Sequence, residues 1–429
     1  MTTTKNNEHK KLNFSSEREQ SQVCLNSAEY EKNQGRKVLN VPNLRFPEFQ
    51  GEWINCTIGE IGTIKNGPFG SVLHAEDYVD EGMPIVTTEH FKSGCLPFSK
   101  DGIPQVSEDD YKRLRGYKLE KDDIVFSRVG SVDINAHVGA LQDGWLFSGR
   151  VLRVRPIKTI NAECLHYVLS TELVKRNIRN RAVGQTMPSI NTPILANTKI
   201  FLPQSIVEQK KIATLLRLID ERIATQNKII DKLQSLIKGI VDCTILRKEK
   251  NAIVGDVCSI SEQIRAEANI DDIITVRLHG NGVCKSSAEN LQLGATQYYR
   301  RRAGQLIYGK QNFHNGAIGI VPISLDNGIT SKDIPSFDID ETKCNSVYLL
   351  AQLQSPQYYK PAEALTTGTG SKRLKEETFL KMPIVLPNKR EQDNIAVLIH
   401  RASMNLDHAK RLLELLSIQK QFLLRQMFI

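Results

Sequence analysis

Residues 202–241 read LPQSIVEQKKIATLLRLIDERIATQNKIIDKLQSLIKGIV, and residues 386–429 read LPNKREQDNIAVLIHRASMNLDHAKRLLELLSIQKQFLLRQMFI. The two stretches carry one pattern. Both open on Leu-Pro, and Glu208, Gln209, Ile212 and Ala213 match Glu391, Gln392, Ile395 and Ala396. Ser205 and Asn388 stand three residues before the matched Glu, the spacing of an N-cap whose Glu reaches back to the cap's own N–H. Pro203 and Pro387 lie just outside, where they cannot extend a helix backwards. The apolar period is seven. Ile212, Leu216, Ile219, Ile223, Ile230, Leu233, Ile237 and Ile240 form one seam, with Gln226 its polar member. Ile395, Ile399, Ala402, Leu406, Ala409, Leu413, Leu416 and Leu423 form the other, broken by Lys420. Such seams belong to coiled coils. A helix of roughly 40 residues is about 60 Å long and needs a partner along its stripe. The partner the sequence itself supplies is its own repeat.

The repeat extends upstream with a period of roughly 185 residues. Thr57–Ile64 resembles Ile253–Ile260, and Asp122–Arg128 resembles Gly304–Lys310. A Tyr-bearing helix follows around Tyr167 and around Tyr348. Polar, Gly-containing loops come next, at Val183–Ile190 and Thr366–Leu374. A strand at Lys199–Leu202 or Pro383–Leu386 then leads into each long helix. The expected fold class is α+β: two α/β domains in tandem repeat, each followed by a long helix, the two helices packing as a coiled coil. The expected boundaries are a flexible extension over 1–40, a first domain over 41–204, a central helix over 205–247, a second domain over 248–387 and a C-terminal helix over 388–429.

Composition agrees with this plan. The chain has 429 residues, enough for several units, with 40% hydrophobic and 24% charged residues. No apolar run reaches the ~18–20 residues of a membrane helix, and the first residues lack the apolar core of a signal peptide. Its eight cysteines are scattered without a CxxC, so no disulfide framework or zinc site is expected. The net charge of +9 sits outside the two domains. Residues 41–204 hold nineteen basic and nineteen acidic side chains, and 251–387 hold fourteen of each. Within the first domain the charge is polarised: residues 128–200 carry ten basic and four acidic groups. That asymmetry suits a face meeting a polyanion.

No catalytic motif accompanies this frame. The sequence has no GxxxxGK[ST], no G-x-S-x-G, no Asn/Asp-Pro-Pro-aromatic tetrapeptide of adenine methyltransferases and no Cys/His set of a zinc deaminase.

Leu44-Arg-Phe-Pro-Glu-Phe49, Gly51-Glu-Trp53 and Ile58-Gly-Glu-Ile61, together with the two Leu-Pro…Glu-Gln-x-x-Ile-Ala helices, give the chain a resemblance to a known family. Over about residues 41–429 it resembles the specificity (S) subunit of Type I restriction-modification systems. The resemblance implies two target-recognition domains separated by the two long helices, which pack as an antiparallel coiled coil; each domain reads one half of a split, asymmetric DNA site, with helix length setting the gap. It implies docking of methyltransferase (M) and restriction (R) subunits and no chemistry on this chain. S-adenosylmethionine, ATP and Mg belong to the partner subunits, and the complex works in the cytoplasm.

Base edges are read by Arg and Lys at guanine and by Asn and Gln at adenine. Loop residues of those types are therefore the candidate DNA contacts. In the first domain they are Lys65, Asn66, Arg128, Arg150 and Gln185; in the second, Lys310, Gln311, Asn312, Lys332, Lys372 and Arg373. Exposed helix positions near Glu208, Gln209, Glu391 and Gln392 are candidates for subunit docking, although capping alone accounts for the two Glu. Competing readings are a stand-alone DNA-modifying enzyme with unfamiliar motifs, a coiled-coil scaffold without DNA contact, and a silent donor allele.

Overall fold

A computed structural model describes residues 40–68, 73, 75–286, 296–368 and 372–429. The extension expected over 1–40 lies, but for Asn40, outside the described residues, as do positions 369–371 of the second Gly-containing loop. The chain is α+β and divides into two compact units. One takes the chain up to Glu221 together with Ser417–Ile429; the other is Arg222–Leu416.

In the first unit, β1 (Ile54–Thr57) pairs antiparallel with β6 (Lys199–Leu202). A four-stranded antiparallel sheet follows, in the order β2 (Gly62–Asn66), β5 (Val151–Pro156), β3 (Ile124–Ser127), β4 (Asn135–His137). All of β3 is buried, because its alternating side chains enter two different cores. Ile124 and Phe126 join the core of helix α1 (Ala162–Leu169), whereas Val125 packs with Phe91, Trp145 and Phe147 on the other face. A continuous apolar run is what a strand covered on both faces requires.

The second unit repeats the sheet. Strand β7 (Ala252–Ile253) pairs with β12 (Pro383–Ile384), and the order β8 (Cys258–Ile260), β11 (Ser336–Ile339), β9 (Leu306–Tyr308), β10 (Ile318–Ile320) matches the first sheet strand for strand. The registers match too. Val154 faces both Ile64 and Ile124, as Phe337 faces both Ile260 and Leu306. Counting from that pair, Arg150 corresponds to Asp333. Around α4 (Ser346–Leu353) the core is aromatic: Tyr308, Phe313, Phe337 and Phe379 stand with ring centroids 4.7 to 5.7 Å apart.

Two long helices complete the units: α3 (Ile206–Val241), which runs into a π-helical turn at Asp242–Leu246, and α6 (Lys389–Gln426). In α3, Ile212, Leu216, Ile219 and Ile230 are buried, and Ile223, Leu233 and Ile237 are half-buried. In α6, Ile395, Ile399 and Leu416 are buried, and Leu406 and Leu413 are half-buried. Within the second unit the two helices run antiparallel. Buried Gln226 donates its amide N–H to the Ala409 carbonyl at 3.1 Å, while Val241 near the end of α3 shares a core with Ile395 and Ile399 near the start of α6. Within the first unit Leu216 shares a core with Leu423, Met427 and Phe428. Lys420, the residue that interrupts the apolar seam, meets Asp220 at 2.6 Å, and Tyr167 donates its hydroxyl to the same carboxylate at 2.9 Å.

The helix starts correct the capping expectation. Ser205 and Asn388 do accept from the N–H of Glu208 (3.4 Å) and Glu391 (3.0 Å). Neither Glu reaches back. Glu208 is 1% exposed and accepts from Arg45 at 2.7 and 2.9 Å and from the Trp53 indole at 3.3 Å. Glu391 pairs with Lys248. A competing cation within reach outbids a single neutral backbone donor, because charge-assisted bonds are the stronger ones.

Candidate nucleic-acid interface

The sequence candidates of the first unit gather where β2 and β3 end and β5 begins. The Arg128 N–H donates to the Arg150 carbonyl at 2.9 Å, and Ile190 N–H donates to the Arg128 carbonyl at 2.9 Å. Val183 and Ser189 exchange both backbone bonds, at 2.9 and 2.8 Å, closing a hairpin that presents exposed Gln185. Two glycines allow this junction. A Cβ on Gly67 would lie 1.9 Å from the Ser148 carbonyl oxygen, and one on Gly149 would lie 2.2 Å from that of Pro68. Only glycines let the backbones cross so closely. The crossing sets Arg150 beside the end of β2, where Asn66 accepts from the Thr192 hydroxyl at 3.3 Å.

Arg128 and Arg150 line a cleft of about 520 Å³ with Tyr78, Thr87, Glu89 and Ser148. Arg128 donates to the Gly149 carbonyl at 3.3 Å, which fixes its guanidinium at the rim. Arg150 is exposed, and no ion pair of its guanidinium occurs among the described residues. Glu89 is engaged by Lys92. The Ser148 hydroxyl is buried with no hydrogen-bond partner among the described residues. Lys65 stands apart. Strand alternation turns it away from Asn66, and its ammonium donates to the Gly116 carbonyl at 2.7 Å over the Tyr117 ring.

The second unit repeats the backbone junction bond for bond. Lys310 N–H donates to the Asp333 carbonyl, and Leu374 N–H to the Lys310 carbonyl, both at 2.9 Å. Thr367 and Arg373 exchange both backbone bonds, at 3.0 and 2.9 Å. The side chains differ. Lys310 is only 12% exposed and is paired with Glu376 at 2.6 Å, so its charge is already met inside the protein. Arg373 Nη2 meets Asp333 Oδ2 at 3.2 Å, and Lys372 meets Glu363 at 3.0 Å; both pairs are exposed. Gln311, Asn312 and Lys332 are exposed, with Asn312 Oδ1 accepting from Asn315 at 3.2 Å.

The docking candidates at the helix starts are the exposed positions beside four landmark residues, most of which are themselves inside the fold. Glu208, Gln209 and Gln392 are each 1% exposed, and only Glu391 is half-exposed. The two Gln serve the fold. Gln209 donates to the Pro203 carbonyl at 2.8 Å and accepts from Asn161 N–H at 2.8 Å; Gln392 donates to the Pro387 carbonyl at 2.8 Å and accepts from Asn345 N–H at 2.9 Å. Asn161 and Asn345 are the N-caps of α1 and α4, so one amide per unit ties the long helix to the Tyr-bearing helix.

Choosing basic and amide residues on loops overlooked an acid, Asp333, and two arginines engaged inside the fold, Arg45 and Arg301. Asp333 was legible by counting the repeat register from Arg150. Arg45 is the unlike-charge partner that Glu208 had to find once buried. Arg301 is fully buried and donates to neutral acceptors on Thr330 (2.7 Å), Ser336 (2.9 Å), Ile334 (3.0 Å) and Gln263 (3.4 Å), and desolvation pushes its pKa down to about 10. Nothing in the local sequence marks it as internal.

The chain is similar to known proteins in sequence and in fold. The family model of the Type I restriction modification DNA specificity domain matches residues 50–235. Two curated proteins of Methanocaldococcus jannaschii are each 33% identical to this chain: a putative type I restriction enzyme MjaX specificity subunit over 218 residues, and the type I restriction enzyme MjaVIII specificity subunit over 206. The matches cover 48% of both chains in the first case and 47% of both in the second, so the chain spans about half the length of the curated relatives it matches. The crystal structure of a Type-I restriction-modification system S subunit from M. genitalium has a similar fold. It matches with a TM-score of 0.62 at 13% identity, over 91% of this chain and 99% of that one. No helix among the described residues is long and apolar enough to cross a membrane.

Proposed function

We infer, from the match of residues 50–235 to the Type I restriction modification DNA specificity domain model, that this protein is the DNA sequence-recognition subunit of a Type I restriction-modification complex. The observation that carries the reading is the junction built twice: one backbone hydrogen-bond frame, at Arg128/Ile190 and at Lys310/Leu374, bearing different side chains. A repeated frame with unlike side chains suits two readers of unlike DNA sequences.

In this reading residues 41–204 and 248–387 are tandem target-recognition domains, each taking one half of a bipartite, asymmetric site in double-stranded DNA. Residues 205–247 and 388–429 are the helices between them, packed antiparallel, and their length sets the spacing of the half-sites. Methyltransferase and restriction subunits dock on the chain. S-adenosylmethionine, ATP and Mg act on those partners, this subunit is non-catalytic, and the complex works in the cytoplasm.

A genome-wide adenine-methylation map of the host, with and without the gene, tests the function. Loss of one split motif on deletion, restored by expressing the chain with the methyltransferase subunits, is the expected result. No motif under co-expression, or methylation by the purified chain alone, overturns it.

A further inference from the structure

We propose that the two units contact DNA through arginines of different kind: Arg150 grips a phosphate in the first half-site, whereas Arg373, held by Asp333, reads a base edge in the second. The proposal rests on the function inferred above and assigns roles within it.

The argument begins with the register. Arg150 and Asp333 occupy the same position, just before β5 and β11, and each gives its carbonyl to the basic residue that ends the central strand, Arg128 or Lys310. In the first unit this leaves a cationic rim. Arg150 is exposed without an ion pair among the described residues, at the mouth of a cleft shared with Arg128. In the second unit the same position is acidic and takes hold of Arg373 at 3.2 Å, while the Lys310 charge is met by Glu376.

These two arrangements suit different chemistry. A phosphate demands charge and tolerates many orientations. Bidentate recognition of a guanine O6/N7 edge demands a guanidinium whose plane is set beforehand. An arginine with a carboxylate on one Nη has that plane constrained and keeps further N–H donors to offer. Arg373 also exchanges two backbone bonds with Thr367, at 3.0 and 2.9 Å, which fix its main chain. An arginine without such a partner retains its full charge and its rotamer freedom. Asp333 is therefore a positioning residue for Arg373, and the first unit supplies more of the salt-dependent attraction.

The experiment uses the full chain in complex with its methyltransferase subunits. It measures DNA affinity against KCl concentration on a duplex bearing the methylated motif, and it maps the motif for each variant. Arg150→Gln is expected to weaken binding roughly tenfold for specific and non-specific duplexes alike, to lower the log–log salt slope by about one, and to leave the motif unchanged. Arg373→Gln is expected to relax one position of one half-site, and Asp333→Asn to relax the same position with a smaller loss. Arg373→Lys is expected not to restore that position, because a lysine cannot form the fork. Melting temperatures check that the variants fold. The proposal is overturned if Arg150→Gln relaxes a base position with an unchanged slope, or if Asp333→Asn and Arg373→Gln weaken all duplexes equally. A wild-type complex with no sequence preference would instead defeat the functional reading itself.

Discussion

Arg150 and Asp333 stand at one position of a backbone built twice, and they are not alone in their contrast. The registers that align them also align Arg155 with Asp338, Arg153 with Ser336 and Asn66 with Glu262. In the first unit Asp123 holds Arg155 at 2.7 and 2.8 Å; in the second Gln305 donates to Asp338 at 2.9 Å. The strand frame and its hydrogen bonds survive these exchanges because they depend on backbone groups and on buried apolar side chains. Polar groups outside that apolar core, buried Arg153 and Ser336 among them, are free to change charge. A fold that separates these two requirements can carry different recognition surfaces without rebuilding its core.

The same comparison holds at the helix starts, and it yields the largest expected effect. Glu208 is buried against Arg45, whereas Glu391 and Lys248 are each 40% exposed. Glu208→Ala leaves the Arg45 guanidinium uncompensated, and a loss of about 3–5 kcal/mol in chemical denaturation is expected. A loss below 1 kcal/mol would mean that water replaces the carboxylate and that the site is not dry.

Next come the two Gln ties, which should behave alike where the Glu do not. Gln209→Ala and Gln392→Ala each strand a buried backbone carbonyl and an N-cap N–H, at about 2–4 kcal/mol apiece. Hydrogen exchange should report the opening of α1 in the first variant and of α4 in the second. Equal exposure of both helices in either variant would contradict a tie local to each unit.

A pH dependence separates the units again. His166 in α1 donates its Nδ1–H to Asn135 Oδ1 at 2.7 Å, and its pKa is pushed down to about 3, mainly by desolvation and then by His137, Lys420 and Lys175. The corresponding position in α4, counted from the two N-caps, is Leu350. The unfolded chain therefore binds a proton below pH ~6.5 that the first unit refuses. Stability from this group is full above that pH and is lost as pH falls, by about 2 kcal/mol at pH 5. Thermal melts between pH 7 and 5 should show the loss, and His166→Gln should flatten it. An unchanged slope in that variant would sink the assignment.

Smallest is Glu391→Ala. A half-exposed pair with Lys248 is worth at most about 1 kcal/mol, and less in high salt. A loss matching that of Glu208→Ala would erase the distinction between the two helix starts.

Much of the fold was legible in the sequence because it rests on periodicities that neighbouring residues express together. The heptad seams mark the faces that α3 and α6 bury, Gln226 was visible as the polar member of one seam, and the repeated Leu-Pro…Glu-Gln located both helix starts. The clustering of Asn66, Arg128, Arg150 and Gln185 was partly legible, since residues ending hydrophobic strands meet at a sheet's edge. The partners were not. Lys310 reads as a free cation until Glu376, 66 residues away in sequence, is brought within 2.6 Å. Lys65 reads as a loop donor until Gly116 and Tyr117 take its ammonium.

By itself the sequence determined the α+β class, the internal repeat, the helix faces and the absence of familiar catalytic motifs, because apolar period and turn chemistry act over a few residues at a time. Tertiary structure alone decided which charges stay available. Whether Arg150 faces solvent, Arg373 leans on Asp333 or Glu208 disappears beneath Arg45 depends on groups far apart in the chain. An ion pair is a matter of ångströms in space, and sequence separation places no limit on it.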